Sequence, residues 1–421
     1  MEKPMNSKRT SGKTNLYIMF FSIFLLIGCF DNAVDTLTEN IDKPAVVPID
    51  LNVSMANTRF GFDLFQEIWK AEPNQNVFIS PFSVSTALTM TLNGASGETE
   101  QAITDTLQLQ NVGNDAINNS FSQLLQQLQT SDPKVTLTIA NSLWANQDFQ
   151  FKQDFLQRNE NYFEAEVSTL DFLDPNTLNT INQWVNTNTN GKIPKILEEI
   201  ESNAVLFLIN AIYFKGVWQT EFDPAKTQDG DFYLTDGSTK QVPMMNRQGM
   251  FPIYYGDNVA AINLPYGEGR MRMYIFLPSQ KSNLNDFVGV LNAADWENWM
   301  TQFREQDISI RIPKFKIEYG TKELNDALTS LGMGVAFDED RADFSRMATL
   351  EKPSANLYID KVAHKTFIEV NEEGSEAAAA TSVTIGVKSL PRMFIVNKPF
   401  FFAIRDNETQ TVLFMGVVVD P

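Results

Sequence analysis

An almost unbroken apolar run, AVLFLINAIYF at residues 204–214, is the strongest constraint on the fold of this 421-residue chain. Successive side chains of a strand point to opposite faces of its sheet, so a continuously apolar strand must be covered on both faces. The run therefore predicts an interior strand of a large sheet that has other layers packed on each side.

The rest of the chain supplies both helical and strand patterns. Apolar residues at helical spacing from Phe62 to Trp69 predict one helix, and Ser80-Pro81 predicts the N-cap and first turn of a second, which ends near Gly94. Further strands are predicted at residues 135–139, 308–312, 394–404 and 412–419. We therefore expect a single α+β domain with a large central sheet.

The first thirty residues resemble an export signal. A basic head precedes about twelve mostly apolar residues at 16–27, too few to cross a hydrocarbon core of ~30 Å comfortably. The run ends at Gly28-Cys29, which resembles the lipobox of bacterial lipoproteins. The resemblance implies that residues 1–28 are a lipoprotein signal peptide and that Cys29 is lipidated. A plain secretory signal or a membrane-anchored N-terminus with an incidental cysteine is the alternative.

Residues 29–54 would then carry the lipidated Cys29 and an acidic, flexible tether, since they show no convincing periodicity. Acyl chains on Cys29, palmitate among them, would supply the anchor, because each buried CH₂ contributes ~0.8 kcal/mol. We expect an exported, membrane-anchored protein of the bacterial cell envelope, on the outer membrane or the cell surface.

Composition argues against several classes of function. With 33 Lys+Arg against 52 Asp+Glu, the net charge of −19 repels phosphate backbones, so no nucleic-acid partner is expected. One Cys and one His cannot build a typical structural zinc site, and we expect no metal and no cofactor. A hydrolase triad would have to use His364, but the chain lacks a G-x-S-x-G elbow, so no enzymatic activity is expected.

The segment EEGSEAAAATSVTIGVKSLPR at 372–392 has two interpretations. Its first half has helical composition and its second half prefers strand, which is typical of a surface helix followed by a short strand. Counted in steps of two from Ser375 to Val387, however, one set of residues is small or apolar and the interleaved set is mostly small or polar. That period of two is also compatible with a strand that inserts into a sheet.

Four long motifs resemble the serpin family. They are NVFISPFSVSTALTMTLNGASGETEQAI at 76–103, NAIYFKGVWQTEFDPAKT at 210–227, HKTFIEVNEEGSEAAAAT at 364–381, and the tail NKPFFFAIRD…VLFMGVVVDP. They occur in the family's order and spacing and cover residues 57–421. The resemblance implies a serpin domain at 55–421 with about three sheets, eight or nine helices and an exposed reactive-centre loop at about 374–392.

In inhibitory serpins a serine protease attacks this loop and forms an acyl-enzyme, and the cut loop inserts into the main sheet before deacylation. Insertion requires a hinge of small side chains. The matching hinge residues here are Glu372, Gly374, Ser375, Glu376, Ala377, Ala378, Ala379, Ala380 and Thr381. The resemblance thus implies an irreversible serine protease inhibitor. The alternatives are a non-inhibitory serpin that serves as a binding or carrier protein, and a surface adhesin or storage lipoprotein.

Two counts within the family pattern locate the reactive bond. The hinge glycine lies fourteen residues before P1, and the proline of the Lys-Pro-Phe motif lies eleven residues after it. From Gly374 and from Pro399, both counts give Lys388 as P1 and Ser389 as P1′. A lysine at P1 implies a trypsin-like target, while Val387 would serve elastase-like enzymes as an alternative P1, and Arg392 is a weaker candidate.

The resemblance also assigns residues that control insertion. The shutter residues, which bond across the opening of the main sheet, are Ser80, Ser83, Asn210 and His364. The breach residues, at the point where insertion begins, are Trp218, Lys314 and Glu372. For each of these residues, ordinary packing or a surface ion pair is the alternative. No basic cluster of the kind that binds heparin in other members is evident, and we expect a monomer.

Overall fold

The computed structural model of the chain describes residues 51–130, 132–201, 204–279, 281–350, 356–375 and 392–421. The α-helices are α1 (Leu51–Ala71), α2 (Pro81–Leu92), α3 (Gly97–Thr106), α4 (Asn114–Gln129), α5 (Gln153–Phe163), α6 (Thr177–Asn188), α7 (Leu284–Gly289), α8 (Ala293–Met300) and α9 (Asn325–Leu328). The strands are β1 (Val77–Ile79), β2 (Val135–Asn146), β3 (Gln150–Phe151), β4 (Glu166–Leu170), β5 (Leu206–Val217), β6 (Gln228–Tyr233), β7 (Thr239–Tyr255), β8 (Val259–Pro265), β9 (Met271–Pro278), β10 (Arg304–Pro313), β11 (Phe315–Glu323), β12 (Ala348–Thr349), β13 (Ala363–Val370), β14 (Gly374–Ser375), β15 (Arg392–Ile395), β16 (Phe400–Asp406) and β17 (Val412–Val418).

The strands form three sheets. A nine-stranded sheet has the order β1-β17-β16-β9-β8-β7-β10-β15, with β6 paired to β7, and a six-stranded sheet has the order β11-β13-β14-β5-β2-β4. Strands β3 and β12 form a separate pair. With the nine α-helices of the described ranges, this architecture confirms the predicted α+β class with a large sheet and additional sheets.

The apolar run at 204–214 forms most of β5, which lies inside the six-stranded sheet between β14 and β2. Ile212 packs into the main core together with α2, whereas Ile209 and Ala211 pack with α6 in a second, separate core. The strand is therefore covered on both faces, as predicted. Leu206 and Leu208 are only half-buried because they line a cavity beside the strand.

Local sequence explains the start of α2. The Ser80 hydroxyl accepts a hydrogen bond from the Ser83 backbone N–H, and Pro81 occupies the first helical position, where its missing N–H costs nothing. The helix packs against β5, α1 and β17, so its N-terminus is fixed in the core. The predicted cap is confirmed.

Two predicted boundaries were wrong. Helix α1 begins at Leu51 and its Val53 and Ser54 are buried, so residues 51–54 belong to the folded domain and not to the tether. The segment at 394–404 is not one strand, because β15 ends at Ile395 and β16 begins at Phe400. Pro399, which lacks a backbone N–H, lies in the break between them.

No helix within the described ranges is long and apolar enough to cross a membrane. The predicted signal peptide at 1–28, Cys29 and residues 30–50 of the tether lie outside those ranges.

Candidate functional site

The six-stranded sheet has an open strand position between β13 and β5. At one end, the two residues of β14 fill this position: Ser375 pairs with Val370 of β13 and with Gly216 of β5, both antiparallel. Beyond β14, no direct pairing joins β13 to β5 in the described part of the chain. We call this position, flanked by residues 363–369 and 206–215, the slot.

The short strand β14 is seated tightly at the entrance to the slot. Ser375 is 2% exposed, and its Oγ lies 2.8 Å from the hydroxyl oxygen of Tyr266. Gly374 has a φ of 155°, and a Cβ placed there would lie 1.9 Å from the Gly216 carbonyl oxygen. Only glycine fits this position with the chain docked.

Trp218 lies at the entrance to the slot, in contact with the residues that precede β14. Its indole stacks on Tyr266 with ring centroids 4.3 Å apart and an interplanar angle of 11°. Its backbone N–H donates to the Glu373 carbonyl at 2.7 Å, and its Nε1 donates to the Asn371 carbonyl at 2.9 Å. The indole and backbone of one residue therefore hold the chain that leads into β14.

Glu372 is tied down by two side chains. Its Oε2 lies 2.8 Å from Lys314 Nζ, and its Oε1 accepts a hydrogen bond of 2.8 Å from Thr227 Oγ1. Burial alone would raise the pKa of Glu372, but these hydrogen bonds and the Lys314 charge outweigh it and lower the pKa below its usual value. The structure thus brings the predicted residues Lys314, Glu372 and Trp218 together around the entrance.

The single histidine lies on β13 at the edge of the slot, six residues from Val370. His364 is 5% exposed, and its Nε2 accepts a hydrogen bond of 3.0 Å from the Ser80 backbone N–H. Burial lowers its pKa to about 4, so the imidazole is neutral at pH 7. The Ser80 hydroxyl donates to the Leu413 carbonyl at 2.7 Å, so it is not paired with the imidazole as a nucleophile would be.

Asn210 lies on β5 at the opposite edge, six residues from Gly216. Its Oδ1 accepts a hydrogen bond from the Ser83 hydroxyl, and its Nδ2 donates to Asn141 Oδ1 at 2.6 Å. The predicted residues Ser80, Ser83, Asn210 and His364 therefore meet at the N-terminus of α2. The connection between His364 and Asn210 runs through Ser80 and Ser83.

Next to these residues, a cavity of about 430 Å³ lies along the slot. Its lining is mainly apolar and comes from α2, β5 and the chain that leads into β13, with Leu88, Leu206, Leu208 and Tyr358 among the lining residues. The edges of the slot are thus unpaired where a further strand would lie, and an apolar cavity lies beside them.

The chain between α6 and β5 covers the outer face of this region. Asn182 of α6 accepts hydrogen bonds from the backbone N–H groups of Ile196 and Leu197 and donates to the Leu197 carbonyl at 2.9 Å. Lys192 of the same linker lies over the Phe367 ring of β13, with Nζ 5.0 Å from the ring centroid. The linker is thus fixed to α6 and contacts both edges of the slot.

Comparison with known proteins assigns this architecture. The family model described as Serpin (serine protease inhibitor) matches residues 55–421. The chain belongs to the serpin family. The leukocyte elastase inhibitor of Xenopus tropicalis is 37% identical to this serpin over 386 residues, covering 88% of this chain and 100% of that protein.

A second relative and one solved structure agree with this family assignment. Human Serpin B11 is 35% identical over 396 residues, covering 88% of this serpin and 100% of that protein. The crystal structure of tengpin, a thermophilic serpin, in its native state matches with a TM-score of 0.79 and 33% identity, over 87% of this chain and 94% of that one.

Much of the predicted reactive loop of this serpin lies outside the described residues. These positions are Glu376, Ala377, Ala378, Ala379, Ala380, Thr381, Val387, Lys388 and Ser389. Of the predicted hinge, Glu372, Gly374 and Ser375 are described, and all three lie at the entrance to the slot.

Sequence reasoning missed four residues that complete the site of this serpin: Asn141, Thr227, Tyr266 and Asn371. Tyr266 follows β8 and reaches Ser375 only through the packing of the two large sheets, whereas Asn141 lies on β2 directly opposite Asn210 in the pairing of β2 with β5. Thr227 ends the motif at 210–227, and Asn371 directly precedes Glu372. The available clue was therefore that both lie in or beside the predicted site motifs in the sequence.

Proposed function

We propose that this serpin is an irreversible suicide-substrate inhibitor of trypsin-like serine proteases, cleaved at Lys388–Ser389. The observation that carries the proposal is β14, a short strand that already pairs with β13 on one side and with β5 on the other, at one end of an otherwise open slot. A loop that starts from this position is already aligned with both edges of the slot, along which it can continue as a strand.

The register of β14 supports this route. Continuing both antiparallel pairings by six residues from Ser375 places Thr381 opposite His364 on one side and Asn210 on the other. Because Ser375 faces the core, residues an even number of places after it would also face inward, through Val387. These are the small or apolar residues of the loop, whereas Glu376 would face outward.

The energy of insertion is also favourable. A new strand would satisfy backbone groups on both edges of the slot, and each net hydrogen bond is worth ~1 kcal/mol. Side chains such as Val383 and Ile385 would fill the cavity, and their apolar surface would be removed from contact with water. Cleavage frees the loop to insert, and the protease that is still bound through its acyl bond would be carried with it.

Lysine at P1 supports a trypsin-like target, since such enzymes carry a carboxylate at the base of the S1 pocket. A second target class is favoured by a separate observation, because several relatives are named leukocyte elastase inhibitors. Val387, one residue before Lys388, would offer the small apolar P1 side chain that elastase-like enzymes accept.

We also propose that the protein acts without enzymatic activity of its own. The only histidine in the sequence is buried and bonded to a backbone N–H, which supports a structural role. Lipidation at Cys29 would hold the inhibitor at the bacterial cell envelope. A Cys29→Ser variant should leave the membrane fraction and lose its acyl mass in mass spectrometry, whereas an unchanged distribution would contradict the anchor.

The main test mixes the full chain in detergent with bovine trypsin and resolves the products on a denaturing gel. We expect a band near the summed masses that disappears in Lys388→Ala and persists in Arg392→Ala, the matched control. Cleavage without this band, with trypsin still active, would exclude the trapping mechanism for that enzyme. A band that persists in Lys388→Ala and disappears in Val387→Asp would move P1 to Val387.

A further inference from the structure

The cavity beside the slot has the size and the lining of a small-molecule site. Its volume of about 430 Å³ lies within the range of ~300–1,000 Å³ that ligand pockets occupy in proteins. Its walls are mainly apolar and come from α2, β5 and the chain on either side of β12, with Leu88, Leu206, Met347 and Tyr358 among them. Apolar cavities of this kind are poorly hydrated and take up apolar molecules.

The cavity can be reached from solvent in the native form. Leu206 and Leu208 of β5 and Tyr358 on the other side are only half-buried, so part of the wall is in contact with water. A small molecule can therefore enter without unfolding of the domain.

Two amide side chains that border the cavity are already paired with protein groups. The Asn210 amide is bonded on both sides, to the Ser83 hydroxyl and to Asn141. The Nδ2 of Asn356 donates to two backbone carbonyls. These amides are therefore held by the protein and are not directed to a ligand.

His364 borders the same cavity and differs from these amides. It is 5% exposed, and its Nε2 accepts a hydrogen bond from the Ser80 backbone N–H, so the proton of the neutral ring lies on Nδ1. This Nδ1–H has no hydrogen-bond acceptor among the described residues, although His364 lines the cavity. A buried donor that lacks a partner is costly, and a ligand that brings an acceptor would remove this cost.

We infer that the cavity binds a neutral, elongated apolar molecule with one hydrogen-bond acceptor, such as a medium-chain ketone or ester, whose oxygen accepts from His364 Nδ1. A carboxylate fits less well, because Asp360 and Lys361 border the cavity with opposite charges and a buried anion would gain no net countercharge. A bound molecule would occupy the space that Val383 and Ile385 of an inserted loop would fill. This consequence rests on the proposed inhibitory function, whereas binding itself does not.

The hydrogen bond can be observed directly because the chain contains a single histidine. The full chain, labelled with nitrogen-15 in histidine alone and held in phospholipid nanodiscs, is titrated with 2-nonanone and followed by NMR. The Nδ1–H proton should shift downfield and exchange with water about tenfold more slowly, because the donor gains an acceptor. Nonane, which has the same chain length without the oxygen, is the matched control and should cause neither change. No change with 2-nonanone, or an equal change with nonane, would overturn the inference.

A substitution in the wall of the cavity tests where the ketone binds. Ala87 of α2 lines the cavity, and the larger side chain of Ala87→Leu should fill part of it and weaken 2-nonanone binding about tenfold. Ala116→Leu, at an exposed residue of α4, is the matched control and should bind the ketone as the unchanged protein does. Equal binding by the two variants would place the ketone elsewhere and would overturn the inference.

Inhibition of trypsin separates this inference from the proposed function. Saturating 2-nonanone should raise the number of inhibitor molecules consumed per trypsin inactivated about twofold or more, because the ligand favours the form in which the loop is not inserted. An unchanged number despite binding would reject competition between the ligand and the loop. If the imidazole signal shifts but the ligand-free protein forms no covalent complex with trypsin or pancreatic elastase, the proposed function alone is rejected.

Discussion

The Nζ of Lys365 on β13 donates a hydrogen bond to the backbone carbonyl of Lys195, 2.9 Å away in the linker between α6 and β5. This bond joins the two edges of the slot through the linker. An inserted strand separates β13 from β5 by a further strand spacing of about 4.8 Å, and the bond does not survive such a movement at its present length.

Replacing Lys365 by methionine should therefore accelerate insertion. The variant loses a charge-assisted hydrogen bond worth ~1.5 kcal/mol, which corresponds to about tenfold in rate if the bond is broken in the transition state. The measurement is the rate at which the uncleaved protein converts to a heat-resistant form at elevated temperature. Lys361→Met, which removes an exposed partner of Glu323 at 3.9 Å, is the control. Equal rates in the two variants would show that the bond does not restrain the sheet.

Thr381→Asp should convert the inhibitor into a substrate. In the proposed inserted strand, the register of β14 would place this side chain inward between His364 and Asn210, where an unpaired carboxylate would be buried at a cost of several kcal/mol. The number of inhibitor molecules consumed per trypsin inactivated should rise several-fold. Ser382→Asp, whose side chain would face outward, is the matched control. If Ser382→Asp has the larger effect, the assignment of the two faces is wrong.

Gly374→Ala should expel β14 from the entrance to the slot. A Cβ at this position would lie within 3 Å of three backbone atoms of Gly216 and Val217, and the φ of 155° is unfavourable for alanine. We expect a loss of about 1–3 kcal/mol in the free energy of unfolding of the native form. Gly113→Ala is the control, because a Cβ at Gly113 would have nothing within 4 Å among the described residues. Equal stability of the two variants would argue against a docked β14.

Acidification should destabilise the native form through His364. Its pKa is lowered to about 4 by burial, whereas an unfolded chain has an ordinary histidine pKa of ~6.5. Between these values the unfolded state binds a proton that the native state excludes, so stability is complete above pH ~6.5 and decreases as the pH falls. The expected loss between pH 7 and pH 5 is about 2 kcal/mol in urea unfolding.

His364→Gln is the test of that assignment, because the chain contains no other histidine. The variant should lose the decrease between pH 7 and pH 5, even if its stability at pH 7 is lower. The carboxyl of Glu373, whose pKa is raised by burial and then by Glu221 and Glu372, contributes with the opposite sign. A decrease of the same size in His364→Gln would mean that other groups cause it.

The parts of the site that could be predicted are those determined by residues that are neighbours in the sequence. Ser80 and Pro81 cap α2 by their own chemistry, and the period of two from Ser375 correctly gives that residue an inward face. Tyr266 could not be found in this way, because its contact with Ser375 depends on how two sheets pack. The break before Phe400 was missed because the apolar residues on its two sides were joined into one strand, although Asn397, Lys398 and Pro399 separate them.

The interior is divided into two separate cores, and this division determines which part of the molecule opens at the lower free energy. Strand β5 is shared between them, since Ile212 belongs to the large core and Ile209 to the small core built on Trp144, Ile181 and Val185. Because the linker after α6 contacts β13, we expect widening of the sheet to displace α6 and to disrupt the small core before the large one. Hydrogen exchange should accordingly divide the protein into two cooperative units, and α6 should exchange at a lower opening energy than α2.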